Sequence, residues 1–437
     1  MSSPTLSSTH SSGEPWRNFV WLVGGRILRM ALSIAVGAWV ARQLGPANYG
    51  LLNSAQAIVM MVLAFVGLGL DSLVRQRLVR EPAASGSILG TCIGLRTAAG
   101  LLAYGALALA ASRADPIQRG LWLVLGTMLV THTPLSIDFW FQANLQMRHS
   151  AIAQNLAFVL SSALRVALIL AGAPVICFAA VIVLDGPVTA LYLLVVYTQK
   201  APAQHFTWRA ELARGWLHAC WPLLAASVVT AMFARIDQAL ILWLAGPVEA
   251  GRFAAASRVF ELVAFVPVAL VTSLVASIAS SRAAGPAAIE QAARRALNAV
   301  AGLGWLLAAG LAASSGPIIA GLFGTAYAGS ENPLRLLAVA LLIQGLGAVR
   351  TECWVSAGWP GRLLVATLAG AVLNAGLALW WIPLWGASGA AGAALVSLAV
   401  SHVATSFWWP DARDFARWQL QALAGAALWR PSKPPPA

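Results

Sequence analysis

The stretch LGPANYG, at Leu44–Gly50, lies between two long apolar segments, and a similar stretch, AGPVEAG at Ala245–Gly251, lies between two others. The first Gly, the Pro and the last Gly of the two stretches all stand 201 positions apart. Proline stops a helix and glycine permits a positive φ, so each stretch predicts a tight turn between two helices. The repeat predicts that the chain is built from two similar halves in parallel orientation.

The composition places both halves in a membrane. Hydrophobic residues make up 59% of the 437 residues and charged residues only 10%, whereas soluble domains carry about a quarter charged residues. A membrane-spanning helix needs roughly 20 mainly apolar residues, and continuous apolar segments indicate helices rather than barrel strands. We therefore predict an all-α membrane protein with about twelve transmembrane helices in two six-helix lobes. The twelve apolar segments are 18–41, 50–71, 86–111, 119–145, 151–172, 174–198, 216–244, 252–280, 297–320, 333–357, 361–383 and 387–409.

The net charge is +13, and the distribution of the basic residues along the chain agrees with the predicted membrane topology. If both termini are cytoplasmic, 16 of the 28 Lys and Arg residues fall on the cytoplasmic side, five fall on the other side and seven lie within apolar segments. This bias fits the positive-inside rule, so we expect no nucleic-acid partner. The four cysteines all lie in apolar segments without metal-ligand spacing, so we expect no metal and no disulfide.

The polar segments divide the chain and indicate transport rather than catalysis. No loop is long enough to fold as a separate catalytic domain, and no HExxH, CxxC, GxSxG or P-loop motif occurs. We predict a transporter that is not an enzyme and needs no cofactor. Its transport should be driven by a gradient of ions or of the substrate itself. The predicted parts are a disordered cytoplasmic tail (1–17), an N-lobe with helices 1–6 (18–198), a cytoplasmic inter-lobe linker (199–215), a C-lobe with helices 7–12 (216–409) and a cytoplasmic tail (410–437).

Charged residues inside the apolar segments are the candidates for function. A charge at the bilayer centre costs about 2.5–3.5 kcal/mol on insertion scales, so each should face a partner or a water-filled cavity. Arg258 and Glu261 are three residues apart and should share a helix face. Arg235 and Asp237 are two residues apart, so each should find a partner elsewhere. Arg350 and Glu352 on helix 10 have the same two-residue spacing, so we expect each of them to find a partner elsewhere too.

A family resemblance follows from three stretches of the chain. The residues are ARQLGPANYGLLNSAQAIVMMVLAFVGLGLDSLVRQRLVR (41–80), RIDQALILWLAGPVEAGRFAAASRVFELVAF (235–265) and VLNAGLALWWIPLWGASGAAGAALVS (372–397). Together they resemble the helix 1–2, 7–8 and 11–12 regions of bacterial polysaccharide (oligosaccharide) flippases. That family shares a superfamily with the MATE drug exporters.

The resemblance implies a site and a substrate. In this family, helices 1, 2, 7 and 8 line a central cavity, and the cargo is a polyprenyl-diphosphate-linked sugar. Guanidinium groups match phosphate oxygens in a bidentate way. The expected substrate-binding residues are Arg26, Arg29, Arg235, Arg258 and Arg350. The expected ion-coupling residues are Asp237, Glu261 and Glu352.

The same residues are also compatible with other roles. Each intramembrane arginine, Arg96 and Arg165 included, could instead pair with an acid and hold two helices together, and Arg26 and Arg29 could reach the cytoplasmic headgroups. As whole-protein alternatives we consider a MATE-like or facilitator-type exporter of small solutes and an integral-membrane glycan-assembly enzyme. For the flippase we expect the bacterial inner membrane as location. Its expected partners are the lipid-linked oligosaccharide, membrane lipids and a glycan polymerase or glycosyltransferases.

Overall fold

A computed structural model describes residues 14–201, 205–280 and 286–425, with side chains from residue 32 onward except 275–287 and 289. These residues form α-helices joined by short 3-10 turns, and no strand occurs among them. The helices are α1 (Glu14–Val66), α2 (Asp71–Arg80), α3 (Ser85–Ala111), α4 (Pro116–Gly126), α5 (Met128–Thr131), α6 (Asp138–Ala143), α7 (Met147–Leu170), α8 (Val175–Lys200), α9 (Ala210–Ser280), α10 (Pro286–Ala313), α11 (Ser315–Phe323), α12 (Glu331–Ser356), α13 (Pro360–His402) and α14 (Arg413–Leu423).

The predicted all-α membrane fold is confirmed. The described residues contain nine helical stretches that are long and apolar enough to cross a membrane. Three of the helices in these stretches, α1, α9 and α13, are interrupted by a glycine with non-helical backbone: Gly45 (φ 69°), Gly246 (φ 84°) and Gly386 (φ 54°). If each interrupted helix crosses the bilayer twice, these stretches supply the twelve predicted crossings.

The two repeated turns contact each other. A Cβ atom built on Gly50 would lie 2.5 Å from the backbone nitrogen of Gly251, and one built on Gly251 would lie 2.7 Å from the carbonyl carbon of Pro46. Only glycine at both positions allows the two backbones to approach this closely. The repeat therefore marks where the Gly-Pro turn inside α1 meets the equivalent turn inside α9. We call this end of the helical bundle the Gly-Pro end.

Helix α9 belongs to both halves of the molecule. It packs along α1 and also on α12 and α13. Its first turns lie elsewhere: Trp216 and Cys220 are buried in a core cluster with Leu70, Phe141 and Tyr197 of the first half. The C-lobe predicted to begin at residue 216 thus starts with a segment that is packed against N-lobe helices.

The end of the linker between the halves lies on a row of glycines. The GxxxG spacing of α3 predicts close helix packing, but the described segment that lies against these glycines is the linker. A Cβ on Gly90 would lie 2.6 Å from the backbone of Thr207, and one on Gly94 would lie 2.7 Å from the ring of Trp208. The backbone nitrogen of Arg209 also donates to Thr91 Oγ1 at 3.1 Å. These contacts attach the start of α9 to the first half.

We predict that Gly90→Val detaches this linker. Two extra carbons beyond the clashing Cβ cannot be accommodated without moving the Thr207 backbone, and overpacking of this kind costs about 1–3 kcal/mol. Limited proteolysis should cleave 201–209 faster, and the melting temperature should fall. Gly105→Val is the matched control, because it lies on the same helix with nothing within 4 Å of an added Cβ. Equal cleavage in the two variants would contradict the described docking.

Candidate functional site

A small polar cavity lies between the two halves, where α1 runs beside α9. Its volume is about 90 Å³. The second half of α1 contributes Asn53, Gln56, Ala57 and Met60, and the two parts of α9 contribute the rest. The α9 residues on the cavity wall are Arg235, Gln238, Ala254, Arg258 and Glu261.

One carboxylate bridges the two arginines of this cavity. Arg235 Nη1 lies 2.8 Å from Glu261 Oε1, and Arg258 Nη1 lies 3.8 Å from Glu261 Oε2. The shared face predicted for Arg258 and Glu261 is confirmed. The expectation that Arg235 has a partner other than Asp237 is also confirmed, since its partner is 26 residues further along the chain.

This charge cluster is accessible. The side chains of Arg235, Arg258 and Glu261 keep 37%, 40% and 38% of their surface exposed, although they lie far from the ends of α9. Two cations and one anion leave a formal excess of one positive charge. An accessible cationic cavity inside an apolar bundle is suited to an anion.

The first half of the chain adds uncharged polar groups to the same space. Arg258 Nη2 donates to Ser33 Oγ on α1 at 3.4 Å, and Gly37 one turn later lies next to the same guanidinium. Asn53 and Gln56 extend this polar wall. We did not predict Ser33, Asn53 or Gln56, although the three-residue spacing of Asn53 and Gln56 in an apolar segment was a usable signal.

The side chains of Arg26 and Arg29 lie outside the described residues. The backbone of α1 is helical at both positions. Helical spacing places position 29 one turn before Ser33 and position 26 about two turns before it. The described arginines of the cavity, Arg235 and Arg258, both come from α9.

Asp237 lies on the other side of α9. It is buried, with 7% of its surface exposed, and its Oδ1 accepts a hydrogen bond from Asn374 Nδ2 of α13 at 2.9 Å. Ser397 Oγ donates to Asn374 Oδ1 at 3.4 Å. Among the described residues no cation forms an ion pair with Asp237. As predicted, Asp237 and Arg235 therefore have separate partners.

The structure does not bring Arg350 to this cavity. Its side chain is buried, with 1% of the residue exposed, and it donates to the Ser401 carbonyl at 2.5 Å and to Thr405 Oγ1 at 3.0 Å. Its guanidinium also lies over the ring of Trp354. These contacts join α12 to the end of α13. Glu352, two residues later, is half-buried and is also absent from the cavity wall.

Two further intramembrane arginines pair with acids, as one of the open readings held. Arg96 on α3 pairs with Asp71 at the start of α2. Arg165 on α7 lies 3.6 Å from Asp185 on α8. For both residues the structure supports a role in joining helices.

At the Gly-Pro end, which lies next to the cavity along α1, hydrogen bonds join the two halves. Tyr327 Oη, between α11 and α12, donates to the Ala41 carbonyl of α1 at 2.8 Å in a buried position. Arg42 of α1 donates to the Gly321 carbonyl of α11. At this end α1 thus contacts the turn of α9 and is also hydrogen-bonded to α11 and to the segment between α11 and α12.

Comparison with known proteins agrees with this architecture. Residues 15–280 match the family described as "Polysaccharide biosynthesis protein". No curated protein matches the sequence. The fold is similar to that of the lipid II flippase MurJ in an inward closed conformation (TM-score 0.73, 14% identity, 95% of this chain and 94% of that chain covered).

Two other solved structures share the fold. An inward-facing multidrug resistance MATE family transporter of the MOP superfamily has a TM-score of 0.65 at 16% identity, with 90% of this chain and 96% of that chain covered. A MOP superfamily transporter from Pyrococcus furiosus has a TM-score of 0.57 at 18% identity, with 93% and 94% covered. The predicted resemblance is confirmed, and the chain has the fold of transporters and flippases rather than that of an enzyme.

Proposed function

Because this chain belongs to the polysaccharide biosynthesis protein family, we propose that it flips a polyprenyl-diphosphate-linked oligosaccharide from the cytoplasmic to the outer leaflet. It works by alternating access as a secondary transporter for the synthesis of a cell-surface polysaccharide such as lipopolysaccharide. The observation that carries the proposal is the accessible cluster of Arg235, Arg258 and Glu261 between the two halves.

The cluster supplies what a diphosphate needs inside a membrane. Guanidinium forks bind phosphate oxygens in pairs, and such charge-assisted hydrogen bonds are about twice as strong as neutral ones. In the absence of cargo, the Glu261 carboxylate neutralises part of the charge of both arginines. A diphosphate carries more negative charge than one carboxylate, so it displaces Glu261 and binds the two guanidinium groups in its place. Arg29 and Arg26, earlier on α1, remain proposed contacts on the path to this cluster.

We propose a transport cycle that is centred on this cluster. The diphosphate and sugars of the cargo, its headgroup, enter from the cytoplasmic leaflet, and Arg235 and Arg258 bind the diphosphate. The halves then rock against each other, the contact at the Gly-Pro end opens, and the head is released outside. We place both termini in the cytoplasm and the protein in the bacterial inner membrane, as the charge bias of the loops favours. A glycan polymerase and glycosyltransferases are the proposed partners.

Ion coupling is assigned to acids that can change charge during the cycle. Asp237 is buried without a cationic partner among the described residues, and Glu261 exchanges partners when cargo binds. Transporters use intramembrane carboxyls of this kind as relays. Glu352 is retained as a third candidate. Arg350 is left out of the proposed substrate site, because its hydrogen bonds lie within the second half.

We predict that Asp237→Asn removes the dependence of transport on an imposed ion gradient. The amide keeps the size of the side chain and can still bond to Asn374, but it cannot carry a negative charge. Flipping in proteoliposomes should fall to the rate that wild type shows without a gradient. Glu290→Gln, which removes an exposed acid paired with Arg294, is the control. Full gradient dependence in the Asp237 variant would remove this residue from the coupling role.

The proposed function itself is tested by deleting the gene. The deletion strain should accumulate lipid-linked oligosaccharide in the cytoplasmic leaflet, and the wild-type gene should relieve the accumulation. An exporter of small solutes would leave the lipid-linked pool unchanged. A glycan-assembly enzyme would alter the length of the glycan rather than the leaflet in which it resides. The net positive charge of the cavity favours an anionic cargo over a cationic drug.

A further inference from the structure

A second and larger cavity lies beside the charged one. Its volume is about 360 Å³, within the range of pockets that hold small organic ligands. Its polar wall consists of Asp71 from α2, Arg96 from α3, His132 and Thr133 between α5 and α6, and Ser227 from α9. Asp71, Arg96, His132 and Thr133 come from the first half of the chain.

One face of α1 connects the two cavities. Asn53 and Gln56 line the small cavity, Met60 lines both, and Ala64 lines the large one. These positions follow the three- and four-residue spacing of one helix face. At a rise of 1.5 Å per residue, the helical stretch from 53 to 64 covers about 17 Å. The two cavities are thus neighbours along α1, and the large one lies further from the Gly-Pro end.

The charged groups of the large cavity balance each other. Arg96 pairs with Asp71 and also donates to the Gly67 carbonyl at 3.0 Å and to Ser136 Oγ at 2.9 Å. These bonds hold the guanidinium in place, and its Nε is buried without a partner. The Asp71 side chain remains 59% exposed. With one cation and one anion, this wall offers hydrogen bonds without the excess positive charge of the small cavity.

Most of the surface that lines this cavity is apolar. Met60, Leu63 and Leu135 contribute to the same wall. A sugar ring presents hydroxyl groups around its edge and C–H groups on its faces, so it needs both kinds of contact. A second phosphate would find no uncompensated cation here, and a purely apolar chain would leave the ionic groups unsolvated.

We propose that the large cavity is a saccharide subsite, which takes the sugars nearest the diphosphate while Arg235 and Arg258 hold the diphosphate itself. The proposal rests on the proposed function, and it assigns Asp71, His132 and Ser227 to recognition of the glycan. The two cavities adjoin at Met60, as the diphosphate and the first sugar adjoin in a lipid-linked oligosaccharide. The subsite sets which glycans are carried, and the arginines set the requirement for a diphosphate.

The test compares two ligands on the same protein in nanodiscs. One is a polyprenyl diphosphate without sugar, and the other is the lipid-linked oligosaccharide extracted from the deletion strain. We expect wild type to bind the glycosylated lipid about tenfold more tightly, as two net hydrogen bonds would give. Ser227→Leu, which narrows the cavity, and Asp71→Asn, which replaces the carboxylate by a neutral amide, should reduce this preference to less than about twofold. Ser227→Leu should leave the affinity for the bare diphosphate unchanged.

The controls separate the two proposals. Thr272→Leu places the same leucine at an exposed position of α9 outside both cavities and should keep the full preference for the glycosylated lipid. An unchanged preference in both folded cavity variants, or an equal loss for both ligands, would overturn the saccharide subsite and leave the arginine site standing. If Arg258→Ala bound both ligands as wild type does, the proposed function would fail as well.

Discussion

Replacing Arg235 and Arg258 together by alanine should lower the rate of flipping by about a hundredfold or more. Each charged hydrogen-bond partner contributes about 1.5–3 kcal/mol, and each 1.4 kcal/mol corresponds to a factor of ten. The two guanidinium groups share Glu261, so the double variant also leaves this acid without its partners and reverses the charge of the cavity from +1 to −1. An anionic head would then be repelled rather than bound.

The measurement is transport of a lipid-linked oligosaccharide in proteoliposomes, together with the amount of inserted protein. Arg417→Ala is the matched control, because Arg417 lies in the same half and its pair with Asp414 is largely exposed. A second comparison, Arg235→Lys with Arg258→Lys, keeps the charge and removes the planar fork, so it should fall between wild type and the alanine variant. Wild-type transport by the double alanine variant would exclude these arginines from the cargo path.

Replacing Gly251 by alanine should force the two Gly-Pro turns apart. The added Cβ would lie within 2.7 Å of the carbonyl group of Pro46, and the obstructing atoms are backbone. Backbone atoms cannot turn aside as a side chain can, so the contact between the halves must loosen. The protein should shift towards a state that is open at the Gly-Pro end, and transport should fall because the closed state is less populated.

Spin labels at positions 48 and 248, which are exposed in the two turns, report this change as a longer distance in pulsed electron resonance. Gly50→Ala, at the equivalent turn, should have the same effect, since its Cβ would lie 2.5 Å from the Gly251 nitrogen. Gly321→Ala is the control at the same end, with nothing within 4 Å of the added atom. If the Gly251 variant kept the wild-type distance and rate, the close contact of the turns would have no part in the cycle.

The fold was predictable from the sequence because the strongest constraints in a membrane are local. Apolar length identifies spanning helices, and a Gly-Pro pair identifies where they turn. The same local geometry predicted that Arg258 and Glu261 share a face and that Arg235 and Asp237 do not. The repeat between Leu44–Gly50 and Ala245–Gly251 indicated two halves, but it did not show that the two turns touch.

The parts of the site that were not predicted depend on what lies across from each helix face. Arg350 has the same type of sequence environment as Arg235, yet its neighbours are the Ser401 carbonyl and Thr405. The glycines of α3 predicted a helix partner, whereas the described residues at Thr207 and Trp208 come from the linker. Periodicity gives the direction of a side chain within its helix, and only tertiary packing decides whether that direction leads to a cavity.

The most direct measurement of the central claim is the position of the phosphates. An experimental structure of the full chain in nanodiscs with a polyprenyl diphosphate bound should show phosphate oxygens within about 3 Å of the guanidinium groups of Arg235 and Arg258. Glu261 should have left at least one of them. A diphosphate located at the headgroup level of the bilayer, with both arginines still paired to Glu261, would contradict the account.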